Sequence, residues 1–156
     1  MAYSFSPKRF RHIHYRRLIG SLRYLLHTRP DLSYSVGVVS RFMEVPKESH
    51  LTAVKHIIRY IKGTIQNGLK YQSGGDGKLV GFSDSSFGTD IQDRRGTTGT
   101  VFYLSNNIVT WSSQKQRTVA LSTCEAKFMA ATTAVCLHGQ NTPNEHPTRE
   151  NRSFPH

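Results

Sequence analysis

Thr98-Gly99-Thr100-Val101-Phe102-Tyr103-Leu104 and Asn107-Ile108-Val109-Thr110-Trp111-Ser112-Ser113 meet at Ser105-Asn106-Asn107, and this stretch decides the fold. Both runs are rich in β-branched and aromatic residues, and the polar junction between them is short, so they read as two strands of a tight hairpin. Leu79 to Asp84 and Leu69 to Gln72 have the same character, with Gly74-Gly75-Asp76-Gly77 as the turn between them. Four strands are therefore expected between residues 69 and 113. On the C-terminal side, Ala126, Phe128, Met129, Ala130, Ala131 and Ala134 mark a helix that starts at a Ser122 or Thr123 cap and reaches about Leu137. Beyond Gly139 the composition is Asn, Thr, Pro, Glu, His and Arg, with Phe154 the only large apolar residue, and residues 139–156 are expected to be a disordered tail.

On the N-terminal side the period is helical. Leu18, Ile19, Leu22, Leu25 and Leu26 define an amphipathic helix over 15–27, with Arg16 and Arg23 toward the other side. Thr28-Arg29-Pro30-Asp31 stops it and offers a second start, with Thr28 as N-cap and Asp31 closing a capping box. That second helix should reach about Met43 and bury Leu32, Val36, Val39 and Phe42. After Pro46, the residues Leu51, Val54, Ile57, Ile58 and Ile61 form the apolar stripe of a third helix ending at Gly63, with Lys55, Arg59 and Lys62 opposite.

The 156 residues carry 21 Lys and Arg against 10 acids, a net charge of +11, and a pI near 10.1, which points to polyanionic partners. No acid precedes Asp31, whereas Lys8, Arg9, Arg11, Arg16, Arg17, Arg23 and Arg29 all do. Such a start is also the composition of an organellar transit peptide, but here the residues run on into a patterned helix. No apolar run approaches the roughly 18 residues of a membrane span. Cys124 and Cys136, twelve apart on one helix, cannot pair and read as buried thiols of an intracellular protein. The eight histidines show no zinc-ligand spacing, and Gly74 to Gly77 lacks the Lys-Ser/Thr of a phosphate loop.

Two acids stand where acids are informative: Asp84 at the end of a strand and Glu125 in the first turn of a helix. Carboxylates so placed can converge on a divalent cation, the arrangement paired-metal nucleases use. Spacing alone favours the plainer reading, in which Asp84 forms a turn and Glu125 complements a helix dipole.

Seven blocks in order change that weighting. They are residues 15–25 (Tyr15 to Leu25), Thr28-Arg29-Pro30-Asp31-Leu32, Ile58-Arg59-Tyr60-Ile61-Lys62-Gly63-Thr64, Gly81-Phe82-Ser83-Asp84, Arg94-Arg95-Gly96-Thr97-Thr98-Gly99, Trp111-Ser112-Ser113-Gln114-Lys115-Gln116 and Ala120-Leu121-Ser122-Thr123-Cys124-Glu125-Ala126. Together they resemble copia-type retrotransposon Pol polyproteins, at the passage from the end of reverse transcriptase into the first half of a ribonuclease H domain. The resemblance covers about residues 15–138. It implies an α+β chain, with a short helical subdomain followed by a partial ribonuclease H-like mixed sheet and one packed helix. Residues 1–66 would be the basic connection segment and 67–138 the partial ribonuclease H-like domain.

It also implies that Asp84 and Glu125 are catalytic, as two Mg2+-binding carboxylates of a site that cleaves the RNA strand of RNA–DNA hybrids. The family's third Asp, on a later strand in a Cys-Asp-Asn context, has no counterpart here, since no Asp follows Asp93. Ser86, Phe87 and Lys127 stand where the family favours Asp, Trp and Glu. Weak magnesium binding and lost catalysis are expected. Without the later strand, the strand carrying Asp84 would expose an edge open to self-association. Nucleic-acid binding, to a hybrid or another polyanion, asks less of the chain, and Arg16, Arg17, Arg23, Lys55, Arg59 and Lys62 are the candidate phosphate contacts. A basic nucleic-acid-binding module retained by a host is the alternative to an inactive polyprotein remnant, and completion of the site by a second chain is a third reading.

Overall fold

The computed structural model describes residues 7–90 and 93–141, with side chains over 12–90 and 93–137. The elements in order are α1 (Pro7–Leu25), a single 3-10 turn (Pro30–Leu32), α2 (Ser33–Ser40), α3 (Glu48–Gly63), β1 (Leu79–Ser85), β2 (Thr97–Leu104), β3 (Asn107–Lys115) and α4 (Thr123–Asn141). The architecture is mixed α+β, as expected. The expected tail lies outside the described residues from 142 on.

The three N-terminal helices hold the main core. Tyr15, Ile19 and Leu22 from α1 meet Leu32, Val36 and Val39, and Val54 and Ile57 of α3 close the cluster. Leu51 and Ile61 pack against it half-buried, whereas Ile58, expected in the same stripe, is 40% exposed. The Tyr15 hydroxyl donates to the Val39 carbonyl at 2.7 Å, so the one polar atom of this large buried residue is satisfied.

The start of the second helix differs from expectation. Thr28 caps nothing ahead of it: its hydroxyl donates backwards to the Leu25 carbonyl at the end of α1. Asp31 instead accepts both arms of the Arg29 guanidinium, at 3.0 and 2.8 Å, and the Tyr60 hydroxyl at 3.0 Å. Arg29, only 8% exposed, also donates to the Thr64 carbonyl (3.1 Å) and hydroxyl (2.8 Å) and lies 5.8 Å from the centre of the Tyr60 ring. A charge placed that deep needs its donors used, and this one uses them across 35 residues. Three residues of 3-10 geometry take up the turn, and α2 ends at Ser40 rather than near Met43.

The sheet is antiparallel throughout, in the order β1-β2-β3, where a mixed sheet was expected. The hairpin is as read: Leu104 pairs Asn107 across a two-residue loop, and Ser105 and Asn106 both take positive φ (48° and 66°), the geometry that matches strand twist. Between Phe102 and Tyr103 the register slips by a bulge that leaves Val109 unpaired.

Residues 69–72 form no strand. Gln72 is tied to the hairpin by the Asn107 side-chain amide, which accepts from the Gln72 N–H at 2.7 Å and donates to the Gln72 carbonyl at 3.0 Å.

The two sheet edges are treated differently. α2 abuts β3 so closely that a Cβ on Gly37 would sit 3.6 Å from the Ser113 carbonyl oxygen. The Trp111 indole N–H donates to the Leu26 carbonyl at 3.0 Å, fixing the end of α1 to the same strand. The outer edge of β1 pairs with no described strand.

Candidate carboxylate site and nucleic-acid interface

Alternation along the strands sorts the sheet into two faces. Gly81, Ser83 and Ser85 share a face with their partners Phe102, Thr100 and Thr98, and α4 covers that face with Ala126 and Ala130, at 1% and 0% exposure. Gln116 anchors the helix there. Its buried amide nitrogen donates to both the Thr98 hydroxyl and the Ala126 carbonyl, each at 3.1 Å. Apart from Phe102, the contact is made of small and hydroxyl-bearing side chains. This is a thin core.

Val80, Phe82 and Asp84 point to the other face, with Val101, Trp111 and Ser113 across the ladder. Asp84 lines a cleft of about 690 Å3 that also takes in Asp31, Tyr34, Phe82 and Trp111. It is exposed, and among the described residues nothing bonds to its carboxylate.

Glu125 is on α4. Its backbone N–H donates to the Ser122 hydroxyl at 3.1 Å, and its carboxylate accepts the Leu121 N–H at 2.6 Å. Ser122-Thr123-Cys124-Glu125 is thus a working helix cap, in which the carboxylate serves the chain's own backbone. Ser122, not Thr123, is the cap residue.

No hydrogen bond or ion pair links the two candidate carboxylates: Asp84 lies in the cleft with Ser83 and Ser85, and Glu125 is engaged at the start of α4. Among the described residues no group of three or more His, Cys, Asp or Glu side chains is placed to hold a metal ion. Magnesium requires several oxygen ligands in near-octahedral order, and Asp84 and Glu125 are the two carboxylates that the resemblance offers it.

The positions that depart from the resemblance have structural uses. The Ser86 hydroxyl accepts the Thr97 N–H at 2.9 Å and bonds the Thr89 hydroxyl at 2.9 Å, closing the loop from β1 to β2. Phe87 and Lys127 are exposed.

The acids that do gather are in that same loop. Lys115 reaches Asp90 at 2.5 Å and Asp93 at 2.8 Å, while Arg41 of the turn after α2 lies 3.5 Å from Asp90 and donates to Thr97 at 3.1 Å. The hydrogen bond from Lys115 holds the Asp93 carboxyl below the usual carboxylate range. Burial works against the Lys115 ammonium, but its bonds to Asp90 and Asp93 outweigh that and hold it above the ordinary lysine value. This cluster fastens a loop and was not read from the sequence, because its members are separated by up to 74 positions in the chain and unite only on folding.

The proposed phosphate contacts fare unevenly. Arg16 donates to the Met43 carbonyl at 3.0 Å, so its guanidinium is partly committed to the junction of α2 and α3. Arg17 and Arg23 are exposed on α1, and Lys55, Arg59 and Lys62 are exposed at i, i+4 and i+7 along α3. No described acid forms an ion pair with any of these five.

Both cysteines are exposed, against the expectation of buried thiols. α4 buries only the stripe through Ala126 and Ala130, and Cys124 and Cys136 fall outside it together with Phe128 (74% exposed) and Val135 (71%). No described helix is long and apolar enough to cross a membrane.

A basic helical segment leading into a β-hairpin sheet with one packed helix, bearing the seven blocks in order, is the build of a retroelement polyprotein segment. Comparison with known proteins makes that specific: the chain belongs to the family of retrovirus-related Pol polyproteins of copia-type transposons. It is 44% identical over 119 residues to the Pol polyprotein from transposon TNT 1-94 of Nicotiana tabacum, and 42% over 114 residues to that from transposon RE1 of Arabidopsis thaliana. These alignments cover 76% and 73% of this chain but only 9% and 8% of the polyproteins. It is also 42% identical over 125 residues to the secreted RxLR effector protein 161 of Plasmopara viticola, covering 80% of this chain and 88% of that protein. No family model matches the chain, and no solved structure does.

Proposed function

We propose that this chain is the ribonuclease H-related stretch of a copia-type Pol polyprotein, with residues 1–66 as the helical connection and 67–138 as the ribonuclease H-like part, and that it binds nucleic acid without cleaving it. The observation that supports the absence of cleavage is that the Glu125 carboxylate is occupied at its own helix cap and that, among the described residues, no three His, Cys, Asp or Glu side chains gather to hold a metal ion. Hydrolysis of a phosphodiester by paired magnesium ions needs acids converging on one point. Binding needs only charge, and the net +11 together with five unpaired cations on α1 and α3 supports it.

The test is a labelled RNA–DNA hybrid incubated with purified protein and magnesium. No cleavage above background is expected, together with binding that weakens steeply with salt, on the order of 100-fold or more between about 50 and 200 mM. Magnesium-dependent cleavage of the RNA strand that disappears in Asp84→Asn would overturn the proposal.

The second reading is a nucleic-acid-binding module retained by a host. One observation favours it: the Plasmopara viticola relative matches this chain over most of its own length, so this stretch also stands outside a polyprotein.

A further inference from the structure

Two clefts flank Trp111, and they have opposite electrostatic character. The one holding Asp84 and Asp31 contains no Lys, Arg or His among its lining residues. The other, about 900 Å3, lies between α1, α2 and the β3 edge and contains no acid; Arg23, His27 and Arg41 line it with Tyr24 and Trp111. Asp31 is met by Arg29 and Arg41 by Asp90, so Asp84 is the unpaired charge of the first cleft and Arg23 that of the second, which draws a phosphate chain.

The second cleft also offers a stacking surface. Tyr24 is 78% exposed, held edge-on to His27 at 6.0 Å, and follows Arg23 at the end of α1, about two helical turns on from Arg17. An aromatic ring left in water next to unpaired arginines is the combination that single-strand binding proteins use: guanidinium groups follow the backbone while rings accept unstacked bases.

We infer that the cleft between α1, α2 and β3 is a binding site for single-stranded nucleic acid, with Arg23 on a phosphate and Tyr24 stacked on a base. This rests on the nucleic-acid-binding reading above and deepens it. It places the polyanion on the far side of Trp111 from Asp84.

Trp111 is the single tryptophan of the chain and lines the cleft, so its fluorescence reports occupancy directly. The experiment titrates the full chain with an unlabelled oligo(dT) of about fifteen residues and follows Trp111 emission. In parallel, fluorescence anisotropy compares a labelled copy of that strand with a duplex of equal length. Expected are saturable quenching of Trp111 by the single strand and a single-strand affinity above that for duplex. Tyr24→Ala should weaken single-strand binding about tenfold with little effect on duplex, and Tyr24→Phe should restore it. Tyr24 is an exposed side chain, so its loss does not threaten folding; a far-ultraviolet spectrum and melting curve verify this. A triple variant, Lys55→Gln, Arg59→Gln and Lys62→Gln, serves as the control for charge elsewhere. If that triple variant abolishes binding while Tyr24→Ala changes nothing, the cleft inference falls and nucleic-acid binding itself stands. If neither strand form binds wild-type protein at low salt, both fall.

Discussion

Arg29 and Asp31 look in the sequence like a helix start, and in the molecule they are half of a clasp. The other half, Tyr60 and Thr64, belongs to a different motif block, so two blocks that seem independent are one hydrogen-bond network. Arg29→Ala should strand the Asp31 carboxylate and free both Thr64 acceptors, lowering the melting midpoint on the order of 5–10 °C; a thermal melt followed by circular dichroism checks this. The bond from Arg29 holds the Asp31 carboxyl below its ordinary range, as Lys115 does for Asp93. A depressed carboxyl stabilises the fold above its unfolded value near 4 and loses that contribution as pH falls through its folded value. His50 acts earlier. Its Nδ1 accepts the Lys47 N–H at 3.0 Å at the start of α3, its ring stacks on Phe42 at 3.8 Å, and burial, followed by the Lys47 charge, lowers its pKa. The folded state thus favours neutral imidazole, and stability should begin to decline as pH drops below about 6.5, before the carboxylates respond. Denaturant midpoints at pH 7.5, 5.5 and 3.5 should show two separate losses, and His50→Gln should remove the first.

At the scale of elements, the helices and the sheet are unequal partners. Eight buried side chains from α1 to α3 form one apolar cluster, whereas α4 meets the sheet through two alanines, Phe102 and a floor of threonines. Amide hydrogens of α4 should therefore exchange faster than those of α1 and α3, with mass spectrometry of exchanged peptides as the measurement. Gln116 is the strongest polar tie in this weak contact. Gln116→Ala should cost about 1–3 kcal/mol, since it leaves the Ala126 carbonyl and the Thr98 hydroxyl buried without that partner; urea unfolding reads the change. The glycine of the Arg-Arg-Gly-Thr block has a comparable local reason, because a Cβ on Gly96 would collide with the Ser86 carbonyl. Cys124 and Cys136 on the outer side of α4 should both react with a thiol reagent in the native protein.

For the whole molecule, one sheet edge is met by α2, and the other, at β1, pairs with no described strand. Phe82 on β1, 58% exposed, together with Leu121 and the α4 residues Phe128 and Val135, leaves apolar surface in water. Apolar surface and an unpaired strand edge favour association, opposed here by a net charge of +11. Raising salt screens the repulsion and should shift sedimentation toward larger species, whereas it should release bound nucleic acid. The two responses to one variable have opposite sign. Salt-independent sedimentation as a monomer at tens of micromolar would remove the association prediction.

What could be read along the chain was whatever depends on neighbours in sequence. The helical stripes, the Ser105-Asn106 hairpin and the Ser122 cap follow from side-chain period and local backbone preference, and motif order was enough to reach the polyprotein family. Misread elements were those whose partners lie far away. Residues 69–72 meet the hairpin only through Gln72 and Asn107, Arg29 drew Asp31 out of a cap, and α4 left both thiols in solvent because, among the described residues, it buries only the stripe through Ala126 and Ala130. The cluster of Asp90 and Asp93 with Lys115 and Arg41, and the two clefts that share Trp111, belong to the tertiary structure alone. Strand register and helix docking fix which distant side chains meet, and neither is encoded in the spacing of the residues themselves.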